Sequence, residues 1–289
     1  DRLRSRGLGD VYKRQAYKRV TDLWEYDIQG GYWTQCASMP DAATARTGAS
    51  GFAIGEKGYI TLGQDNSSNY LADTWEYDPA TDTWTQKDDY KGGARISAIA
   101  FGIGQYGYVG TGYNGNYQKD FYRFDPQAAA GQQWEIVNGF GGQKRQGGTS
   151  FVIDDKAYIC CGVNNGSYVY DFWCFDPSTG VFTQLRDIAD TSDDDYDDDY
   201  TSIVRANAVS FVIDGKGYLV TGEYGSLLSN YWIYDPATDL WEGEDLTAFE
   251  GSVRKNAVAF STGTRGFVVT GQASSSYYDD TWELSPYEY

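Results

Sequence analysis

The sequence contains no histidine, one methionine, six prolines and four cysteines in 289 residues. Without histidine the chain cannot supply an imidazole base, a Ser-His-Asp triad or a histidine-ligated metal centre. The spacing of Cys36, Cys160, Cys161 and Cys174 matches neither a disulfide framework nor a paired zinc motif. We therefore predict free thiols, with one bridge from Cys160 or Cys161 to Cys174 left open as an alternative.

Positive charge is scarce, and long apolar runs are missing. The chain has 23 Lys and Arg against 41 Asp and Glu, a net charge of −18. This charge argues against nucleic acid or an anionic membrane surface as the partner of the whole molecule. No apolar run approaches the roughly 18 residues that a membrane span requires, and no cleavable signal is visible at the start. We expect no nucleic-acid partner and no direct membrane insertion.

Aromatic residues and glycine are abundant instead. Aromatics make up 17% of the chain, which has 26 Tyr and 35 Gly. This composition favours many short strands joined by tight turns. The sequence therefore predicts an all-β fold.

Two landmarks recur along the chain and divide it into repeats. Each arginine of one series precedes a glycine of the other by 17 residues, and an aromatic residue stands four residues before each glycine. This constant spacing predicts a rigid hairpin of two strands. The arginines are Arg46, Arg95, Arg145, Arg205 and Arg254, and the glycines are Gly63, Gly112, Gly162, Gly222 and Gly271.

A second signature follows each glycine after a polar loop. It reads Asp-Thr-Trp-Glu-Tyr-Asp-Pro in its first complete copy, at residues 73–79, and an incomplete copy occupies residues 22–27. Alternating aromatics predict a strand buried on one face, and Asp-Pro predicts a turn. A Trp or Phe beyond that turn marks a fourth strand. The remaining copies begin at Asp120, Asp171, Asn230 and Asp280.

These residues resemble the kelch repeat: an Arg-led strand, a Tyr-x-x-x-Gly strand, a Trp-x-Tyr-Asp-Pro strand and a strand with Trp. The resemblance covers nearly all of residues 21–286 and points to the bacterial secreted, galactose-oxidase-like kelch proteins. It implies a single β-propeller domain over residues 16–289, built from four-stranded antiparallel blades. Residues 16–36 supply only two strands of a blade, so we expect six blades with the first incomplete. The resemblance also implies a secreted, periplasmic or outer-membrane-associated protein.

The first fifteen residues lack this pattern and are basic. Residues 10–15 are similar to the in-frame translation of a transposon adaptor used in sequencing libraries. We predict that residues 1–15 are not native and contribute little to the fold.

The five arginines begin the innermost strands, so the resemblance places them near a channel mouth. Converging guanidinium groups could bind a carboxylate or phosphate. The alternative is structural, because a residue repeated in every blade is suited to hydrogen bonding the carbonyls of the neighbouring blade.

Strand parity places the loops that follow the glycines on the same face as these arginines. Their mixture of Tyr, Asn, Ser and Gly is typical of adaptable binding surfaces, although turns are also made of these residues. The candidate ligand-binding residues are Tyr70, Tyr113, Asn114, Tyr117, Asn164, Tyr168, Tyr224 and Tyr277.

An acidic insertion at residues 187–200 lengthens one repeat and contains the run Asp193–Asp199. Its alternating carboxylates could bind Ca²⁺, but an EF-hand loop would require Gly at the position of Asp198 and Glu at that of Val204. We expect a solvated, mobile loop with no metal site.

Two function classes follow from the resemblance. A binding or scaffold propeller would take a glycan or a protein ligand, and a sugar-acid epimerase would use the channel-mouth arginines. A copper radical oxidase is excluded because the chain has no histidine ligand. We favour a monomeric, non-enzymatic binding module that needs no cofactor.

Overall fold

The computed structural model describes residues 19–243, 246, 248–274 and 276–285. These residues form strands, turns and loops, and none of them lies in a helix. The described residues divide into two compact units, 19–138 and 139–285. The all-β prediction is confirmed.

The described part of the first unit, residues 19–138, contains three antiparallel sheets. Strands β1 and β2 form a two-stranded sheet, and two four-stranded sheets follow with the orders β3-β4-β5-β6 and β7-β8-β9-β10. The strands are β1 (Leu23–Asp27), β2 (Tyr32–Cys36), β3 (Ser50–Ile54), β4 (Lys57–Thr61), β5 (Thr74–Asp78), β6 (Thr83–Lys87), β7 (Ile99–Ile103), β8 (Tyr106–Gly110), β9 (Phe121–Phe124) and β10 (Trp134–Val137).

The core of this unit lies between its two four-stranded sheets. Phe52 of β3 stacks on Tyr59 of β4 with ring centroids 5.2 Å apart, and both rings contact Phe124 of β9. Glycine at position 107 makes this packing possible, because a Cβ there would lie 2.2 Å from the Phe52 ring. The alternating aromatics of the sequence thus bury one face of each strand.

The described part of the second unit contains two four-stranded sheets, one three-stranded sheet and three two-residue hairpins. The main sheets have the orders β11-β12-β15-β16, β17-β18-β21-β22 and β23-β24-β27. The main-sheet strands are β11 (Thr149–Ile153), β12 (Lys156–Cys160), β15 (Trp173–Asp176), β16 (Val181–Gln184), β17 (Val209–Ile213), β18 (Lys216–Val220), β21 (Trp232–Asp235), β22 (Leu240–Glu242), β23 (Val258–Ser261), β24 (Gly266–Val269) and β27 (Thr281–Leu284). The hairpin strands are β13 (Val163–Asn164), β14 (Ser167–Tyr168), β19 (Glu223–Tyr224), β20 (Ser226–Leu227), β25 (Gln272–Ala273) and β26 (Ser276–Tyr277).

Aromatic side chains from two sheets meet in the core of the second unit. Phe151 stacks on Tyr158 at 5.4 Å, and Tyr234 packs against Phe172 at 4.8 Å and against Trp241 at 5.1 Å. The first strands of successive sheets also contact each other, since the Ser210 hydroxyl donates to the Ser150 carbonyl over 2.9 Å. Each sheet thus packs on the next through its first strand.

The acidic insertion is anchored in this core at its ends, while Asp193, Asp194, Asp195, Asp198 and Asp199 of its acidic run are exposed, as expected of a solvated loop. The mobility of the loop stays a prediction. Ile188, Tyr200 and Ile203 are buried at its two ends, and the Tyr200 hydroxyl accepts the backbone N–H of Trp241 over 2.8 Å. Inside the acidic run, Asp197 is buried and accepts the backbone N–H groups of Thr191 and Ser192. Apolar residues at both ends of the run hold the loop against the sheets.

A backbone ladder joins successive repeats. The N–H of Gly63 donates to the carbonyl of Arg95 over 2.9 Å, and Gly162 and Gly222 donate in the same way to Arg205 and Arg254, each over 2.8 Å. These glycines have positive φ, and the residues before them do too. At Gly162 a Cβ would lie 2.8 Å from the Gln146 carbonyl oxygen, so a side chain would disturb the junction.

The number of sheets and the state of the cysteines bear on two further predictions. The described residues form five main sheets of three or four strands, where six blades were expected, and the two-stranded β1–β2 sheet stands where the incomplete first blade was expected. All four cysteines are free, and Cys174 lies opposite Tyr158 rather than Cys160 or Cys161. Residues 1–15 lie outside the described residues. The single-domain assignment of residues 16–289 stays a prediction.

No helix in the described part of the chain is long and apolar enough to cross a bilayer.

Candidate functional site

The five repeat arginines are buried. The structure leaves the side chain of Arg46 3% exposed, and Arg95, Arg145, Arg205 and Arg254 are at most 1% exposed. Each therefore needs internal partners, because an unpaired buried guanidinium is strongly destabilising.

Backbone carbonyls supply part of this need. In Arg95, Nε donates to the Gly93 carbonyl over 3.2 Å and Nη1 to the Thr111 carbonyl over 2.9 Å. The other four arginines donate to the equivalent carbonyls. Our structural alternative assigned these carbonyls to the neighbouring blade. The Nη1 acceptor lies within the arginine's own repeat, whereas the Nε acceptor lies in the connection just before the arginine. The backbone of Arg95 also bonds the preceding repeat, through its carbonyl to Gly63 and through its N–H to Leu71.

The Asp or Asn that begins each copy of the second signature is the other hydrogen-bond partner of the arginine. Arg46 donates to both carboxylate oxygens of Asp73 over 2.6 Å, and Arg254 donates to those of Asp280 over 2.5 and 2.8 Å. Asp120 and Asp171 pair with their arginines in the same position. Burial raises the pKa of Asp280, but the hydrogen bonds from Arg254 and from the Trp282 indole outweigh it, so the pKa is lowered.

The repeat of Arg205 departs from this pattern because Asn230 stands where the others have aspartate. Asn230 offers Oδ1 to Nη2 and its backbone carbonyl to Nη1, each over 3.1 Å. With no carboxylate to offset it, burial lowers the pKa of Arg205 to about 10. In Arg95 the hydrogen bond to Asp120 outweighs the same burial and raises the pKa.

The sequence indicated that these arginines could bind an anion. In the structure all five guanidinium groups are buried and none is exposed to such a ligand. A groove of about 250 Å³ on the first strands of the second unit has no charged residue in its wall. Its lining residues are Phe151, Val152, Ser210, Phe211, Val212, Phe260 and Ser261.

The loops after the glycines are small hairpins, and tyrosine holds the same position in most of them. In each repeat the residue after the glycine pairs, as a β-bridge, with two residues. One is the residue after the arginine, and the other lies on the far side of the hairpin. The far-side residues are Tyr70, Tyr117, Tyr168, Leu227 and Tyr277. We call the segments 64–70, 113–117, 163–168, 223–227 and 272–277 the tyrosine hairpins.

The hairpin tyrosines of the first unit contact one another across two repeats. Tyr70 meets Tyr113 edge to face at 6.5 Å, and Tyr113 meets Tyr117 at 5.0 Å. All three are partly exposed. They form a continuous aromatic row.

The second unit carries a similar pair. The rings of Tyr168 and Tyr224 lie 4.7 Å apart at 56°, and the Tyr168 hydroxyl accepts the N–H of Gly225 over 2.9 Å. Tyr224 is 48% exposed and Tyr277 46% exposed. The structure thus brings together the predicted tyrosines of neighbouring repeats within each unit.

The two candidate asparagines mainly shape the hairpins. The Asn114 side-chain oxygen accepts from Gln118 over 2.9 Å and from the backbone of Asn116 over 3.3 Å. Asn164 accepts from Asn165 over 3.2 Å. Both are half-buried, and their turn-forming bonds are those expected of asparagine in a loop.

One group of carboxylates lies close enough to hold a cation among the described residues. Ligand atoms of Asp190, Asp197 and Asp198 lie within 4.8 Å of one another. Asp197 already accepts the Ser192 hydroxyl over 2.8 Å besides its two backbone donors. Asp197 is therefore committed to the internal bonding of the insertion, while Asp190 and Asp198 are exposed.

Sequence reasoning missed the aspartates that pair with the arginines, although the signal was available. An Asp or Asn opens the second signature of every repeat, as regularly as the arginines recur. A buried cation in every repeat requires an acceptor, and an Asp or Asn stands 25 to 27 residues after each arginine.

Four-stranded antiparallel sheets that repeat along a chain and pack through their first strands are propeller blades. The class of the protein is therefore a β-propeller. A family model for the Kelch motif matches residues 144–187, which contain one arginine, glycine and Asp-Phe-Trp signature. Together with the blade sheets, this match supports a kelch-repeat propeller. A search of curated protein sequences found no match to the chain.

Proposed function

We propose that this kelch propeller is a non-enzymatic binding module whose ligand, a glycan or a protein, is held by the tyrosine hairpins. Kelch propellers commonly mediate protein–protein interaction, and the fold supports a binding or scaffold role in general. The observation that carries the proposal is the contact between exposed tyrosines of neighbouring repeats.

These tyrosines have the properties of a binding surface. Tyr presents a large amphipathic area at a low cost in side-chain entropy, and a ring already held by its neighbour loses less freedom on binding. Tyr224 and Tyr277 keep nearly half of their surface exposed. The five arginines, in contrast, are committed to internal hydrogen bonds.

The epimerase alternative depended on arginines able to hold a sugar carboxylate, with an acid or base of raised pKa beside two of them. Burial raises the pKa of Asp187, but Asp171 and Asp197 are the charged groups that act on it. Crowding by other aspartates adds to burial in raising the pKa of Asp198. The geometry supports the binding module better.

The experiment compares ligand binding by alanine variants of the hairpins. The wild-type chain is screened on a glycan array and against proteins extracted from bacterial envelopes, and each hit is measured again with Tyr117→Ala and Tyr224→Ala. We expect at least a tenfold loss of affinity in one of them. Tyr170→Ala is the matched control, because Tyr170 is 40% exposed but lies outside the hairpins.

Thermal unfolding separates binding from structure. A binding role predicts melting temperatures close to wild type for the hairpin variants. If these variants melt much earlier, or bind every ligand as wild type does, the tyrosines serve only to stabilise the hairpins. Export to the envelope and the monomeric state remain predictions, to be checked by fractionation and by size-exclusion chromatography with light scattering.

A further inference from the structure

The pair formed by Tyr168 and Tyr224 has a fixed shape. Tyr168 lies on β14 and Tyr224 on β19 of the next repeat, with their rings 4.7 Å apart at 56°. The backbone N–H of Gly225 donates to the Tyr168 hydroxyl over 2.9 Å and fixes the orientation of that ring. The tilt leaves a corner between two aromatic faces, and about half of Tyr224 is exposed there.

The charges beside this corner are already paired with each other. Lys255 donates to both carboxylate oxygens of Glu223 over 2.8 and 2.9 Å, and the Asn207 amide donates to the same carboxylate over 2.9 Å. Segments 163–168 and 223–228 contain no other charged residue. In a chain of net charge −18 this corner is locally neutral.

The two hairpins of this corner offer a charged ligand no unpaired charge. The nearest repeat arginines by sequence, Arg205 and Arg254, are fully buried. Lys255 would have to leave Glu223 to meet an anion, and Glu223 would have to leave Lys255 to meet a cation. Either exchange forfeits a charge-assisted interaction.

Resting on the function proposed above, we infer that the Tyr168–Tyr224 corner binds an uncharged sugar ring of an oligosaccharide. A pyranose has an apolar C–H face, which suits the tyrosine rings, and a rim of hydroxyls that exchange hydrogen bonds with neutral polar groups. Asn165, Ser167 and Ser226 are exposed beside the two tyrosines and provide such groups.

The test titrates the full chain with neutral hexasaccharides made of glucose, xylose or mannose, together with a printed array of neutral glycans. The acidic comparison is hexagalacturonate. We expect at least one neutral glycan to bind, hexagalacturonate to bind at least tenfold more weakly, and the neutral affinity to be unchanged between 50 and 500 mM salt.

Variants connect the result to the corner. Tyr224→Ala should lower the affinity for the neutral glycan at least tenfold, Tyr224→Trp should keep it, and Tyr170→Ala should leave it unchanged. Retained affinity in Tyr224→Ala, tighter binding of hexagalacturonate, or failure of every neutral glycan would each overturn the inference.

The outcomes also distinguish this inference from the proposed function. If a protein ligand binds and Tyr224→Ala abolishes that binding while neutral glycans fail, the hairpins are a binding face and only the sugar assignment is wrong. If Tyr117→Ala and Tyr224→Ala both bind every ligand as wild type does, the proposed function itself is wrong.

Discussion

The repeats of Arg95 and Arg205 bury the same guanidinium in two different electrostatic surroundings. Arg95 faces the carboxylate of Asp120 with Nη1 at 2.5 Å from Oδ1, and its pKa is raised. Arg205 faces the neutral amide of Asn230, and burial lowers its pKa to about 10. Both side chains bond the same carbonyl positions of their repeats. The comparison shows that hydrogen bonds alone can hold a buried arginine, at an electrostatic cost that a carboxylate would offset.

The largest effect is expected from removing the guanidinium. Arg95→Met leaves the Gly93 and Thr111 carbonyls without their donor, and each such loss costs about 1–3 kcal/mol. Arg205→Met also loses carbonyl bonds but removes a charge that no carboxylate compensates. We expect both variants to be destabilised in urea unfolding, Arg95→Met more strongly. Equal losses would show that the aspartate adds nothing to the pair.

A second substitution converts the Arg95 repeat into the Arg205 type. Asp120→Asn keeps the shape of the acceptor but removes its charge, and hydrogen bonds to charged groups are the stronger kind. We expect a loss of about 2 kcal/mol in the free energy of unfolding. Asp279→Asn is the control, because Asp279 is exposed and should tolerate the change. A loss no larger than in this control would contradict the electrostatic account.

The reverse substitution should stabilise the protein. Asn230→Asp gives Arg205 the counter-charge of the other repeats, and the Ser202 hydroxyl, now the acceptor of the Asn230 amide, can turn to donate. We expect a gain of about 1 kcal/mol at pH 7. The gain should disappear in acid, where the new carboxylate is protonated. Stability measured at pH 7 and at pH 3 checks both statements, and a loss at pH 7 would show that the site is shaped for an amide.

The smallest expected effect concerns the loss of stability at acid pH. The folded state lowers the pKa of Asp280 below its ordinary value of 3.8, so this group stabilises the fold above pH 3.8 and the contribution is lost as the pH falls through the folded pKa. Asp280→Asn should reduce the acid sensitivity by at most about 1 kcal/mol, because the carboxylate is partly exposed. Urea titrations between pH 7 and pH 2.5 measure the difference. Parallel pH profiles would exclude this contribution.

Much of the fold could be predicted from the sequence because its landmarks are backbone requirements. Gly112 and Gly162 recur in register because both adopt positive φ. A Cβ at either position would also lie 2.8 Å from a backbone carbonyl oxygen, that of Ile96 or of Gln146. Alternating aromatics fixed which strand faces are buried. The exposed positions of the tyrosine hairpins also followed, because strand parity assigns loops to faces.

Other features could not be predicted because they depend on distances across a blade. The period of the repeats gives the position of Asp120 but not its pairing with Arg95, and a ring of guanidinium groups therefore looked available to a ligand. The anchoring of the acidic insertion was missed for a similar reason. Its composition indicates solvation, while the few apolar residues at its ends, such as Ile188 and Ile203, decide its position.

The ladder between glycine and arginine has a consequence for how such a chain can change in evolution. Gly162 bonds the Arg205 carbonyl over 2.8 Å although the acidic insertion lies between these repeats, and Gly222 bonds Arg254 over the same distance without an insertion. The junction therefore tolerates added sequence as long as its two ends keep their conformation. A lineage can lengthen a connection or duplicate a repeat without redesigning the joint, and new surface is acquired while the framework is inherited unchanged.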